Sequence, residues 1–113
     1  MGVISLLPVE GIGEIKAGDD LASLCVTAFP YLWDNDILVV SSKAVSKAEG
    51  NAVQESSLSP SPFARQLAEL TGSSPGYCEL VLRESIGILR MAKGVVICRT
   101  HHGFVMANAG VDA

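Results

Sequence analysis

Apolar residues fall in short blocks along this chain, and the period changes from one block to the next. Val3-Ile4-Ser5-Leu6-Leu7 is β-branched at its start and stopped by Pro8. It predicts a buried strand running into the loop Pro8-Val9-Glu10-Gly11-Ile12-Gly13. After Gly18 the pattern turns helical: Asp19-Asp20 can cap a helix with Leu21, Leu24, Cys25 and Ala28 on one face, ended by Pro30. Asp34-Asn35-Asp36 is turn chemistry, and Ile37-Leu38-Val39-Val40 predicts a central strand covered on both faces. Residues 41–50 then read as a small, hydroxylated, basic bend, 51–54 as a further short strand, and 56–61 as a Ser/Pro-rich loop. Ser61 and Pro62 fit the cap and first position of a helix with a Phe63, Leu67, Leu70 stripe, closed by Thr71-Gly72. A second helix is expected over 75–85, then strands over 94–98 and 104–107 joined by a Thr100-His101-His102-Gly103 hairpin. Strands and helices alternate without a β-α-β rhythm. The fold class is therefore mixed α/β, a mixed sheet with flanking helices.

Length and balance narrow the function class. With 113 residues, 49% apolar and 18% charged, the chain suits one small domain with a real core rather than a disordered segment. A net charge of −4 argues against nonspecific nucleic-acid binding, which needs clustered Lys and Arg. No apolar run approaches the roughly 20 residues that cross a bilayer. The start lacks the basic region of a secretory signal, so a cytoplasmic protein without nucleic-acid or membrane partners is expected. Cys25, Cys78 and Cys98 are odd in number, widely spaced and set among apolar residues, which predicts buried structural thiols.

Four places could carry chemistry. In residues 41–50, serines with Lys43 and Lys47 follow a predicted buried strand, where α/β proteins place ligands; a solvated turn explains the same residues. The order is not that of a P-loop. Glu10-Gly11-Ile12-Gly13 would let a ligand approach the backbone closely, and it equally suits a tight turn. Asp112, after a Gly-containing turn, offers a hard oxygen for magnesium or manganese, though one carboxylate cannot make that site. His101-His102 project in opposite directions if extended, which disfavours a shared metal. Glu84, beside Arg83, reads as surface charge rather than a general base.

Three motifs together point further. They are Pro8-Val9-Glu10-Gly11 with Ile15-Lys16-Ala17-Gly18-Asp19-Asp20-Leu21, then Val39 to Gly50 with its Ser-Lys-Ala-Val-Ser-Lys-Ala-Glu-Gly ending, and His102-Gly103-Phe104 with Ala107-Asn108-Ala109-Gly110-Val111-Asp112-Ala113. In this order they resemble the amino-terminal half of the coenzyme F420:L-glutamate ligases, the GTP-dependent γ-glutamyl ligases. The resemblance spans essentially the whole chain, including Arg83-Glu84-Ser85. It implies addition of L-glutamate to the coenzyme F420-0 precursor through an acyl phosphate, with GTP as substrate. It also implies magnesium or manganese, potassium and a homodimer. By position it places Glu10, Gly11, Ile12 and Gly13 against the guanine nucleotide, Ser42, Lys43 and Lys47 near it, and Asp112 as the first metal-binding aspartate. Lys43 stands where archaeal relatives commonly carry Thr. No catalytic side chain is assigned. Family members continue with further acidic ligands and nucleotide contacts, so residues 1–113 are expected to be the amino-terminal portion of a ligase domain whose carboxy-terminal half is absent. Such a piece, whether truncation, fragment or part of a split enzyme, should bind nucleotide weakly. The alternative is a noncatalytic nucleotide-binding or assembly module. A packing domain without ligand is the blandest reading.

Overall fold

The computed structural model describes residues 2–113, which divide into two compact units: a first running to Ala52 and a second, Val53–Ala113. Helices α1 (Leu21–Ala28) and α2 (Ser42–Ala48) belong to the first. Helices α3 (Pro62–Thr71) and α4 (Pro75–Arg83) and strands β1 (Ser85–Ala92), β2 (Val95–Thr100) and β3 (Val105–Ala107) belong to the second. Short 3-10 turns occupy Glu55–Ser57 and Asn108–Gly110. Mixed α/β is therefore the class.

The four α-helices among the described residues begin the same way. Asp20, Ser41, Ser61 and Ser74 each accept the amide of the residue three further on, satisfying one of the donors a helix start leaves open. Pro62 and Pro75 sit where a missing N–H costs nothing. Gly72 ends α3 in the left-handed region, at φ 76°.

The second unit has a core of its own. β1, β2 and β3 form an antiparallel sheet in that order. Val96 and Cys98 of β2 pack with Ala64, Leu67 and Ala68 of α3, Cys78 and Val81 of α4, and Ala109. Polar ties close the helical layer: the Ser61 amide donates to Glu79 Oε2 (2.9 Å), and the buried Thr71 hydroxyl donates to the Leu67 carbonyl (2.8 Å). At the β1–β2 turn, Gly94 N donates to Thr71 O (2.8 Å). The α3 stripe expected from sequence is rotated. Leu67 is buried as expected, but Phe63 and Leu70 face solvent and the inward face is Ala64, Leu67, Ala68 and Thr71. The second helix stops at Arg83, and residues 85–92 form a strand the sequence reading did not contain.

The first unit is different. Among its described residues Cys25 is the one buried apolar side chain. Residues 3–7 and 37–40, both expected as buried strands, carry no regular structure and are largely exposed, Ile4 at 91% and Val39 at 85%. A strand is buried by ladder partners and by layers on its faces, and this unit provides neither. Residues 51–54 are likewise not a strand, whereas 41–50, expected as a bend, hold helix α2. All three cysteines are free and buried, as expected. Among the described residues no helix is long and apolar enough to cross a membrane.

Candidate functional site

The loop before α1 owes its path to two glycines. Gly11 and Gly13 have φ of 83° and 77°, the left-handed region that side-chain-bearing residues avoid, and no protein atom lies within 4 Å of where a Cβ would stand. The backbone conformation alone accounts for both. Beyond them the chain is fastened locally: Lys16 N donates to Asp19 Oδ2 (2.7 Å) and Asp19 N to Lys16 O (3.1 Å).

The same loop is tied to α2. Gly18 N donates to Ala48 O at 2.8 Å, and the Ala17 methyl lies 3.6 Å from the Cβ position of Gly50. Lys47 Nζ pairs with Glu14 Oε1 at 2.5 Å. This pair joins two segments that sequence reading treated separately, the Gly11–Gly13 turn and the lysine-bearing helix. The Lys47 ammonium, by hydrogen bond and then by charge, holds the Glu14 carboxyl below the usual carboxylate range. Both partners reach solvent, so the pair contributes position more than stability. Glu14 was missed; its only signal is a carboxylate directly after the second glycine. Ser42 and Lys43 lie exposed in the first turn of α2, next to the capping Ser41.

Gly11 and Ile12 also line a depression of about 420 Å³ against α1, together with Asp19, Asp20, Ser23 and Leu24. Glu10, Ser42, Lys43 and Lys47 do not line it. Its two carboxylates are already engaged, Asp19 by the Lys16 amide and Asp20 as the α1 cap.

Asp112 belongs to the second unit and follows an unusual turn. Asn108, Ala109 and Gly110 are all left-handed, at φ 51°, 51° and 75°. The ladder register that pairs Ile97 with Ala107 puts Asn108 opposite Val96. There Asn108 Oδ1 accepts the Val96 amide at 2.9 Å, so a side chain stands in for a ladder carbonyl where the backbone turns away. Tyr77, projecting from α4, donates to Val111 O at 3.0 Å and pins the segment that presents Asp112. Burial pushes the Tyr77 phenol up, and the nearby Asp112 carboxylate adds to that. Asn108 stands in the 108–112 segment that the sequence marks as a candidate, though with no role of its own there, and Tyr77 is not marked by sequence.

Among the described residues no group of three or more His, Cys, Asp or Glu side chains is placed to hold a metal ion. The donor set at Asp112 is a single exposed carboxylate. It suits an ion held mostly by phosphate and water and is too small for a cage made of protein alone. His101 and His102 diverge as expected: His101 Nε2 meets the Arg83 carbonyl at 2.7 Å, while His102 stacks on Phe104 with centroids 6.3 Å apart. Glu84 caps α4 at the surface.

Comparison with known proteins adds a family. Residues 11–113 match the sequence model of the F420-0:gamma-glutamyl ligases. A protein of Methanothermobacter thermautotrophicus described as a coenzyme F420:L-glutamate ligase is 44% identical over 96% of this chain and 45% of its own length. One of Methanopyrus kandleri with the same description is 39% identical over 99% of this chain and 45% of its own. The chain thus spans a little under half the length of each of these relatives.

Proposed function

The chain belongs to the F420-0:γ-glutamyl ligase family, and on that premise we propose that it supplies the amino-terminal part of an enzyme joining L-glutamate to the coenzyme F420-0 precursor at the expense of GTP. A carboxylate is a poor acylating agent. In the proposed reaction the precursor carboxylate takes the γ-phosphoryl group of GTP, giving an acyl phosphate and GDP. The amine of glutamate then attacks the acyl carbon, inorganic phosphate leaves, and an amide remains. Catalysis of this kind is chiefly positioning and charge neutralisation.

In this proposal the Glu10, Gly11, Ile12, Gly13 turn lies along the nucleotide, with backbone amides close because no side chain intervenes at the glycines. Ser42, Lys43 and Lys47 face the phosphates as hydroxyl and ammonium donors. Glu14 is added as the positioning partner that fixes the direction of Lys47. Asp112 would contribute one oxygen to a magnesium or manganese ion, which when bound supplies neutralising charge at the phosphoryl oxygens. Potassium and pairing of two chains belong to the same family-based proposal.

The observation that most supports the reading is the Glu14–Lys47 pair. It links the two motifs that the family resemblance assigns to one nucleotide. The test combines this chain with the carboxy-terminal part of the Methanothermobacter thermautotrophicus relative, GTP, manganese, L-glutamate and F420-0, with glutamylated product read by mass spectrometry. Product is expected only when both parts are present, with weak GTP binding by the chain alone. Glutamate addition by the 113-residue chain unaided would refute the incomplete-enzyme reading. GTP binding without product in the combined sample would favour the noncatalytic module.

A further inference from the structure

A second, larger cavity borders the expected nucleotide turn only through Ile12. It is an open trough of about 1080 Å³ in the first unit, walled by residues 3–9 and 37–41, with Ile12, Cys25, Phe29 and Leu32 also lining it and the polar Asn35 and Asp36 at one end. No Lys or Arg lines it, so it is no place for a phosphate. Its walls are aliphatic and β-branched, the residue types that favour a pleated, half-buried surface. Neither residues 3–7 nor 37–40 make a backbone hydrogen bond among the described residues. The second wall also alternates: Ile37 and Val39 are 89% and 85% exposed, Leu38 and Val40 only 39% and 38%. That period of two is the side-chain alternation of a strand, present here without a ladder.

Two apolar segments with unspent amides and carbonyls are what a strand leaves when its neighbour is missing. Exposed apolar surface of this extent on a folded unit marks an interaction site. The family supplies an occupant, because more than half the length of each related ligase lies outside the part this chain matches. We propose that the trough receives a β-strand from the carboxy-terminal part of the ligase fold, pairing with the backbone of residues 3–7 and 37–40. Main-chain hydrogen bonds would give the affinity, and alternate apolar side chains entering the trough would give the register. The proposal rests on family membership, not on the nucleotide chemistry above.

The test is nucleotide-free, so its failure is separable from failure of that chemistry. This chain is mixed with the separately expressed carboxy-terminal part of the Methanothermobacter thermautotrophicus relative, and amide exchange and affinity are measured. Exchange at residues 3–7 and 37–40 is expected to slow at least tenfold in the complex. Ile4→Lys and Val39→Lys, at side chains already in water, should each weaken association at least tenfold. Leu70→Lys, on the exposed face of α3, should leave it unchanged. Absence of a complex, a complex indifferent to Ile4→Lys and Val39→Lys, or equal weakening by Leu70→Lys would overturn the proposal. So would sedimentation of the chain alone as a dimer that Val39→Lys dissociates, which would make a second copy the occupant.

Discussion

Asn108 holds the terminal turn by two separate properties, and they can be taken apart. It is an acceptor for the Val96 amide and a residue that tolerates φ of 51°. Val96 is buried, so loss of the acceptor strands a donor away from water, at a cost of about 1–3 kcal/mol. Alanine adds the penalty of a methyl-bearing residue in the left-handed region, roughly 1 kcal/mol. Asn108→Ala should therefore cost about 2–4 kcal/mol, and Asn108→Gly, which removes the acceptor but relaxes the backbone, about 1–3 kcal/mol. Asn108→Asp, which keeps an oxygen in place, should cost least. For a domain of some 60 residues, stability is commonly only about 3–9 kcal/mol, so the alanine variant should lose much of its margin. The assay is urea unfolding of the full chain with amide exchange at Val96. If Asn108→Ala unfolds at the wild-type urea concentration with the Val96 amide still protected, the side chain is not part of the ladder and the reasoning fails.

Three further outcomes are expected. Lys47→Gln should raise the Glu14 carboxyl back toward the ordinary carboxylate range, seen by NMR titration, because the ammonium is what lowers it. Gly11→Ala and Gly13→Ala should each cost roughly 1–2 kcal/mol from backbone strain alone, since the space is open; thermal unfolding that matches wild type would show that the turn is not held left-handed. On acidification the chain should lose stability. The Ser61 amide lowers Glu79, and the Ser23 amide and hydroxyl lower Asp20, so both contribute fully above the unfolded carboxylate value of about 4 and lose that contribution as pH falls through their lower folded values. Urea midpoints measured from pH 6 to 2.5 should fall, and Glu79→Gln should flatten part of the decline.

What could be read from the sequence was what is decided locally. Asp20, Ser61 and Pro62 mark helix starts through side-chain chemistry within four residues, and the structure puts starts there. The 100–103 hairpin follows for the same reason, with Gly103 N donating to Thr100 O at 2.9 Å. Errors came where a neighbour decides. Phe63 looked like core because it is large and periodic, yet the sheet meets the small face of α3, where Ala64 and Ala68 allow close approach. Strand β1 went unseen because Glu84 and Ser85 continue a helical pattern and Gly87 interrupts the strand signal; the sheet tolerates this with bulges between Ser85 and Gly87 and between Ile88 and Arg90. In the candidate site, the glycine turn was legible from residue type, whereas the lysines, expected on a bend, stand on α2. Their joining through Glu14 was not legible, since a pairing across 33 residues leaves no local pattern.

The distribution of burial bears on how the proposed site works. The second unit carries a continuous core, whereas the first, which holds seven of the eight expected ligand residues, buries one thiol among its described residues. A phosphate-binding turn is effective when its donors are held before the ligand arrives. Here the ties from the loop after the Gly11–Gly13 turn to α2 include a backbone bond from Gly18 and a solvent-exposed ion pair from Glu14. If only a fraction of molecules holds the turn in place, apparent affinity falls by that fraction, however good the donors are. Filling the trough should therefore tighten GTP binding even if the added strand touches no part of the nucleotide. Calorimetry with and without the carboxy-terminal part reads this directly when paired with Val39→Lys. That variant should weaken GTP binding in the mixture and leave it unchanged in the chain alone. Equal effects in both samples would place Val39 in contact with the nucleotide and remove packing as the cause.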